Sequence, residues 1–251
     1  IDRDFEMSTL FVAWQAADAG RAWFPIGRLD ASKAKDEYVF RYTRGALRAH
    51  ERAGFEPLVA FPEFERRYES SELFPLFKNR VLDPGRKDFA EYLEWLALDP
   101  GSADPIEILS LTGGERQTDS LEVFPKVNKL PDGSFNCRFF LHGLRHVSDA
   151  GRQRAERLTA GESLQVAVEV NNPASGLAVQ LQTHDCHILG WAPRYLVQDL
   201  CTAISEHSRI QAKVTRINRI EAPSARRVLV ELTGSLPVDV RPPWKVGRGE
   251  Q

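Results

Sequence analysis

The chain is poor in sulfur and has no long apolar stretch. Its 251 residues include 3 cysteines and 1 methionine. An odd, sparse set of cysteines (Cys137, Cys186 and Cys201) argues against a disulfide framework and for a reducing compartment. No run approaches the ~18 apolar residues of a membrane-spanning helix, and the first residues lack the apolar core of a signal peptide. We therefore expect a cytoplasmic protein that does not enter a membrane.

The sequence also lacks the short motifs of common enzymes. It contains no G-x-x-x-x-G-K-[ST], H-E-x-x-H, G-x-S-x-G or G-x-G-x-x-G, and the kinase motifs are missing. The run His184–His187, "HDCH", has zinc-ligand residue types, but no second cluster completes four ligands. A strand with a buried cysteine is the favoured interpretation of this run. We predict no catalytic residues, no metal and no cofactor. The alternative of a nuclease or a zinc-dependent hydrolase rests on this run and on scattered acidic residues.

Charge is unevenly distributed along the chain. The net charge is −2, but 15 Lys and Arg face 11 Asp and Glu from residue 137 onward, whereas residues 1–136 hold 18 against 24. A mildly basic C-terminal half beside an acidic N-terminal half indicates a domain that faces a polyanion. Simple drift in composition is the alternative explanation.

Local patterns predict an α+β protein, mostly β, in two domains. The first domain, residues 8–115, opens with strand-like alternation and continues with helices, which predicts a small antiparallel β-meander plus helices. Residues 116–135 are rich in turn formers and are predicted to be a linker. The second domain covers residues 136–235, and residues 236–251 are predicted to be a loose tail.

The second domain is predicted to be a small β-barrel with one main helix. Strands over 163–170 and 177–182 flank an Asn-Asn-Pro turn, a further strand covers 186–191, and a helix begins with Pro193 at its first position. The order β, short α, βββ, α, ββ is typical of a small barrel.

Polar, aromatic and basic residues at strand ends and at the helix start converge on one candidate site. The nucleic-acid-binding set is Arg145, His146, Asn171, Asn172, Ser175, Trp191, Arg194 and Tyr195. Arginine grips phosphates bidentately, a helix N-terminus attracts anions, rings stack on bases and asparagine amides bind base edges. Each residue also has a plain structural explanation: Trp191 in the core, Arg194 solvating the first helical turn and His146 on the surface.

Three runs in the second domain resemble the HIRAN domain over about residues 136–235. They are "FFLHGLRHV", "VEVNNPASGLAVQL" and "ILGWAPRYLVQDL". The resemblance implies an OB-like β-barrel of the stand-alone bacterial type. The eukaryotic members of the family belong to SWI/SNF-type translocases and capture single-stranded DNA ends with a free 3′-hydroxyl. By this resemblance Arg145 holds the DNA backbone, and His146 stands where a tyrosine stacks.

The same resemblance covers the Asn-Asn-Pro turn. Asn171, Asn172 and Pro173 match the family's turn, which normally continues with an aromatic residue or histidine and then an aspartate that grips the terminal nucleotide. Ala174 and Ser175 stand in those two places. The resemblance therefore implies DNA binding more strongly than 3′-end specificity.

The first domain resembles the N-terminal subdomain of HipA-type proteins over about residues 8–100. The matching runs are "IGRLDA", "YVFRYTRGAL" and "FEPLVAFPEFERRYESSELFPLFKNRVL". The resemblance implies a protein-docking module without the kinase core. We thus expect a nucleic-acid-binding module, for single-stranded DNA or DNA ends, that docks a protein through residues 8–115. The alternative is a protein-interaction component of a toxin–antitoxin or defence locus with weak or no DNA binding.

Overall fold

The chain folds into two compact units. The computed structural model describes residues 7–17, 22–101, 103–116, 118–127, 130–205 and 209–235. The first unit falls within Ile1–Glu91 and Asp99–Lys126, and the second within Tyr92–Leu98 and Val127–Gln251. The predicted tail, 236–251, lies outside the described residues. Within the described ranges, none of the helices has the length and apolar character needed to cross a membrane.

The first unit is built on a five-stranded antiparallel sheet. Its strands are β1 (Met7–Gln15), β2 (Trp23–Ser32), β3 (Glu37–Tyr42), β4 (Tyr68–Ser70) and β5 (Leu121–Pro125), in the spatial order β4-β3-β2-β1-β5. Its helices are α1 (Arg44–Ala53), α2 (Pro75–Lys78) and α4 (Pro105–Thr112), while α3 (Phe89–Trp95) ends in the second unit. The predicted meander of β1, β2 and β3 is confirmed. The range predicted to be a linker, 116–135, contains β5, which pairs with β1.

Aromatic side chains fill the core of the first unit. Phe40 of β3 stacks on Phe61 with ring centroids 3.9 Å apart, and Phe77 of α2 packs near both. The Tyr42 hydroxyl donates to the Phe61 carbonyl at 2.8 Å. Burial raises the pKa of Tyr42 to about 12. These contacts attach the irregular chain after α1 to the sheet.

The second unit is built on a six-stranded antiparallel sheet. Its strands are β6 (Ser134–Phe140), β7 (Ser163–Asn172), β8 (Gly176–Gln182), β9 (Ile188–Trp191), β10 (Ile210–Ile217) and β11 (Val228–Ser235), in the spatial order β6-β11-β10-β7-β8-β9. The helices are α5 (Asp149–Glu156) and α6 (Arg194–Ser205), with 3₁₀ turns at Leu144–His146 and Ser224–Arg226. Helix α6 buries Leu196, Leu200 and Ala203 in the apolar core.

The α+β, mostly β class is confirmed, with two antiparallel sheets. No closed barrel is found among the described strands. Among the described residues, the chain just after β6 and the end of β9 are joined by a single antiparallel bridge, in which His142 and Trp191 exchange two backbone hydrogen bonds of 2.9 Å. The second unit is therefore a strongly curved open sheet rather than a complete barrel.

The run "HDCH" forms a turn and not a strand. The Thr183 amide donates to the His187 carbonyl at 3.0 Å, and Cys186 is exposed with a φ of 66°. Strand β9 begins only at Ile188. The predicted strand with a buried cysteine is wrong here, because the chain reverses at this point through a left-handed residue that is not glycine.

Candidate nucleic-acid interface

Asn172 organises the tight turn between β7 and β8. Both asparagines belong to the end of β7, and the turn proper is shorter than the sequence predicted because β8 begins at Gly176. The Asn172 Oδ1 atom accepts from the Ala174 amide at 3.0 Å and from the Ser175 amide and hydroxyl at 3.2 and 3.1 Å. An asparagine that bonds its own following backbone fixes a turn. Asn172 is thus a structural part of the site, while Asn171 and Ser175 are exposed at its edge.

Glu169 joins this turn to Trp191, and the sequence analysis missed it. Its Oε2 atom accepts from Trp191 Nε1 at 2.6 Å and from Asn172 Nδ2 at 3.0 Å. Glu169 is opposite Ala178, and Gln180 is opposite Trp191, so the carboxylate and the indole reach each other across β8. The only sequence signal is that Glu169 lies on the polar side of the β7 alternation.

Trp191 is the structural centre of this surface. It is half-buried, its N–H is used by Glu169 and its backbone forms the bridge to His142. Its ring also packs on Gly143, where an added Cβ atom would lie 2.6 Å from the indole. Gly143 has a φ of 74° and precedes the 3₁₀ turn Leu144–His146. Trp191 therefore holds the hairpin end and this 3₁₀ turn in fixed positions.

Two exposed arginines lie beside the frame of hydrogen bonds that Glu169, Asn172 and Trp191 form. Arg194, the first residue of α6, donates through Nη2 to the Ala174 carbonyl at 3.4 Å. Arg145 donates through Nε to His146 Nε2 at 3.0 Å. Neither arginine forms an ion pair with any described carboxylate. Helix α6 begins one residue after the predicted start, so Pro193 precedes it, and Tyr195 is half-buried against the core.

A further cation lies near the 3₁₀ turn that carries Arg145. The second 3₁₀ turn, Ser224–Arg226, packs against it, and the Arg226 guanidinium is 5.4 Å from the Phe140 ring centroid. The sequence analysis did not select Arg226, because only the fold brings residues so far apart in the chain together.

Contacts through Trp191, Glu169 and Asn172 thus connect most of the predicted residues, and we call the group that they form the rim. The rim consists of Arg145, His146, Asn171, the turn Pro173–Ser175 and Arg194, and Glu169, Asn172 and Trp191 support it from below. Tyr195 contributes to the core packing beside it.

No group of three or more His, Cys, Asp or Glu side chains among the described residues is arranged to hold a metal ion. Within "HDCH", Asp185 pairs with Arg154 at 3.1 Å. A hydrogen bond from Thr183 and the Arg154 guanidinium lower the pKa of Asp185 to about 2. Asp185 is therefore an ionised partner of an arginine.

Two solved structures resemble part of the chain. A protein from Lactobacillus plantarum is 20% identical, with a TM-score of 0.33, and the match covers 41% of this chain and 99% of that one. The HIRAN domain of human HLTF is 17% identical, with a TM-score of 0.31, over 41% of this chain and 74% of that one. No family model and no curated protein matches the chain. At this identity and TM-score neither similarity assigns a family or a function, and the HipA-like resemblance of the first domain is not supported.

Proposed function

We propose that the chain binds nucleic acid through the rim, with a preference for single strands or ends. The observation that carries this proposal is the state of Arg145 and Arg194. Both are exposed, neither is neutralised by a described carboxylate, and both stand on a hydrogen-bonded frame. Guanidinium groups in this state are suited to phosphate oxygens, which they bind bidentately. A rigid frame reduces the entropy lost when these contacts form.

His146 supports a preference for single strands. Among the ring-bearing residues of the predicted set it is the exposed one, whereas Trp191 and Tyr195 are half-buried. A base that is not stacked in a duplex can place its face on such a ring, with a gain of ~1–3 kcal/mol per base. The bond from Arg145 orients the imidazole.

The proposal does not include selective reading of a 3′-hydroxyl. The Ser175 hydroxyl is engaged with Asn172 Oδ1, and position 175 carries no carboxylate. The Glu169 carboxylate is oriented by Trp191 and Asn172 below the rim. We also propose that the curved sheet acts as an OB-like, partly open barrel, since one bridge connects the chain just after β6 with the end of β9.

The experiment is a titration of the labelled nucleic acid with the full chain, read by fluorescence anisotropy across a range of salt. Single-stranded DNA, blunt duplex and duplex with a 3′ overhang are compared. We expect binding that weakens steeply with salt, since phosphate contacts release counterions, and that is tightest for the single strand and similar for free and blocked 3′ ends. Absence of binding even at low salt would contradict the proposal.

A protein-interaction role, within a toxin–antitoxin or defence locus, is the second candidate. Val170 is 68% and Leu177 is 43% exposed beside the hairpin turn, and such apolar side chains also suit a protein surface. A stoichiometric protein partner together with no DNA affinity would select this function. We propose binding rather than catalysis in either case, and DNA cleavage with Mg²⁺ or Mn²⁺ would contradict that.

A further inference from the structure

Helix α1 of the first unit carries a row of arginines on its outer side. Arg44, Arg48 and Arg52 are exposed and spaced by four residues, which is about 6 Å of rise per step. The opposite side of the helix packs Ala46 and Ala49 into the core. The spacing aligns the three guanidinium groups along one side of the helix. We call these three residues the α1 arginine face.

This row is unfavourable for the helix itself. Arg44 occupies the first turn, where the helix dipole favours acidic residues, and no acidic residue is present there. The pairs Arg44/Arg48 and Arg48/Arg52 are like charges at i,i+4, and each such pair costs ~0.2–0.5 kcal/mol.

Three other exposed arginines of the same unit are used differently. Arg66, Arg67 and Arg86 each lie within 4 Å of a carboxylate, on Glu63, Glu69 and Asp88 respectively. Arg48 and Arg52, in contrast, form no ion pair among the residues that the structure describes. Positive charge is therefore concentrated on α1 although this half of the chain is acidic.

We propose that the α1 arginine face binds the phosphate backbone of nucleic acid, as a second contact surface beyond the rim. The guanidinium groups of Arg48 and Arg52, which form no ion pair among the described residues, are one step of about 6 Å apart along the helix, and this spacing fits a polymer with regularly repeated negative charges. Guanidinium binds phosphate bidentately. Leu47 is the one large apolar side chain exposed on the described part of α1, so the face offers little to an apolar partner.

Glu51 provides an internal probe of the proposal. It is exposed, lies three residues after Arg48 and opposes an approaching phosphate. If the face binds phosphates, Glu51→Gln strengthens binding, because it removes a repulsive charge without adding a contact.

The experiment compares variants of the full chain by anisotropy with a labelled DNA single strand and a labelled duplex, between about 50 and 200 mM salt. Arg48→Gln/Arg52→Gln is the test variant. Arg66→Gln/Arg67→Gln is the control, because it removes the same charge from ion-paired positions. We expect the test variant to lower affinity about tenfold or more at low salt and to reduce the salt slope by about 1.4 for the single strand and about 1.8 for the duplex. The control variant keeps the wild-type slope, and Glu51→Gln binds more tightly.

Rim variants separate this inference from the proposed function. If Arg48→Gln/Arg52→Gln binds nucleic acid as the control does, the inference is overturned, whatever Arg145→Gln/Arg194→Gln does. If only the α1 variant loses binding, the inference is supported and the rim proposal fails. Loss of an acidic protein partner by the α1 variant, with nucleic-acid binding unchanged, would also overturn the inference.

Discussion

Asp30 in the first unit and Glu169 in the second are both strand carboxylates with several hydrogen-bond donors, but the donors differ. Asp30 is 4% exposed and accepts from the Thr9 hydroxyl at 2.6 Å, from Arg28 at 2.8 Å and from Arg41 at 3.4 Å. Among the described residues, Glu169 accepts neutral N–H groups only, from Trp191 and Asn172. In the first unit arginines neutralise the carboxylate, whereas at the rim neutral groups hold it.

This difference determines which arginines remain for a ligand. Arg28 and Arg41 are engaged by Asp30 and contribute to stability. Glu169 is held by neutral groups, and Arg145 and Arg194 are exposed without a carboxylate partner among the described residues. The rim therefore separates two tasks: neutral hydrogen bonds build the frame, and cations carry the binding.

The largest expected effect is on the frame. Gly143→Ala should destabilise the second unit by roughly 2–4 kcal/mol, because Gly143 has a positive φ and a Cβ atom would meet the Trp191 ring. Gly161→Ala is the matched control, since Gly161 has a φ of 88° and no atom within 4 Å of an added Cβ. Urea unfolding of that variant should show a loss of only about 1 kcal/mol in the free energy of unfolding. Equal losses for the two variants would show that the indole contact adds nothing.

The next largest effect is expected on stability, at Asp30, whose carboxylate is neutralised by arginines. Asp30→Asn should lower the free energy of unfolding by roughly 1–3 kcal/mol at neutral pH, because charge-assisted bonds to Arg28 and Thr9 are weakened. Burial acts to raise the pKa of Asp30, but the hydrogen bonds from Arg28 and Thr9 outweigh it, so the pKa of this carboxyl lies below its usual value.

The sign of the pH dependence follows from that lowered pKa. The stability contributed by Asp30 is present above about pH 4 and is lost as the pH falls through the lower folded-state pKa. Unfolding measured between neutral and strongly acidic pH should therefore show a shallower loss for Asp30→Asn than for the wild type. Parallel curves would contradict this role.

The smallest effect concerns the carboxylate at the rim. Glu169→Gln keeps an oxygen acceptor for Trp191 and removes a negative charge near the site, so DNA binding should strengthen about two- to fivefold at low salt. Glu156→Gln, an exposed position on α5, is the control for net charge. Weaker binding by Glu169→Gln at unchanged stability would mean that the carboxylate itself contacts the ligand.

Features set by local sequence were the predictable part of the fold. Strand-like patterns in the sequence predicted β1 to β3 and the two strands β10 and β11 that close the second domain, and helical spacing of apolar residues predicted α6. Strand β5 was not predicted, because it is defined by pairing with β1, more than a hundred residues earlier. The turn at Cys186 was missed because no glycine marks its positive φ.

The candidate site likewise contains residues that the sequence could predict and residues that it could not. Arg145, His146 and Arg194 are at positions that motif and charge could select. Glu169 could not be selected, because its contact with Trp191 depends on the register of two strand pairs across β8. Side chains that carry charge are visible in a sequence, but the neutral partners that hold them depend on the fold.

The most direct test of the rim is the salt dependence of DNA binding by Arg145→Gln/Arg194→Gln. The control is Arg66→Gln/Arg86→Gln, which removes the same charge from arginines paired with Glu63 and Asp88. Two lost phosphate contacts should reduce the slope of log affinity against log salt by about 1.4 for a single strand and about 1.8 for a duplex, with no change in unfolding. A slope equal to that of the control variant would contradict the assignment of the rim as the nucleic-acid interface.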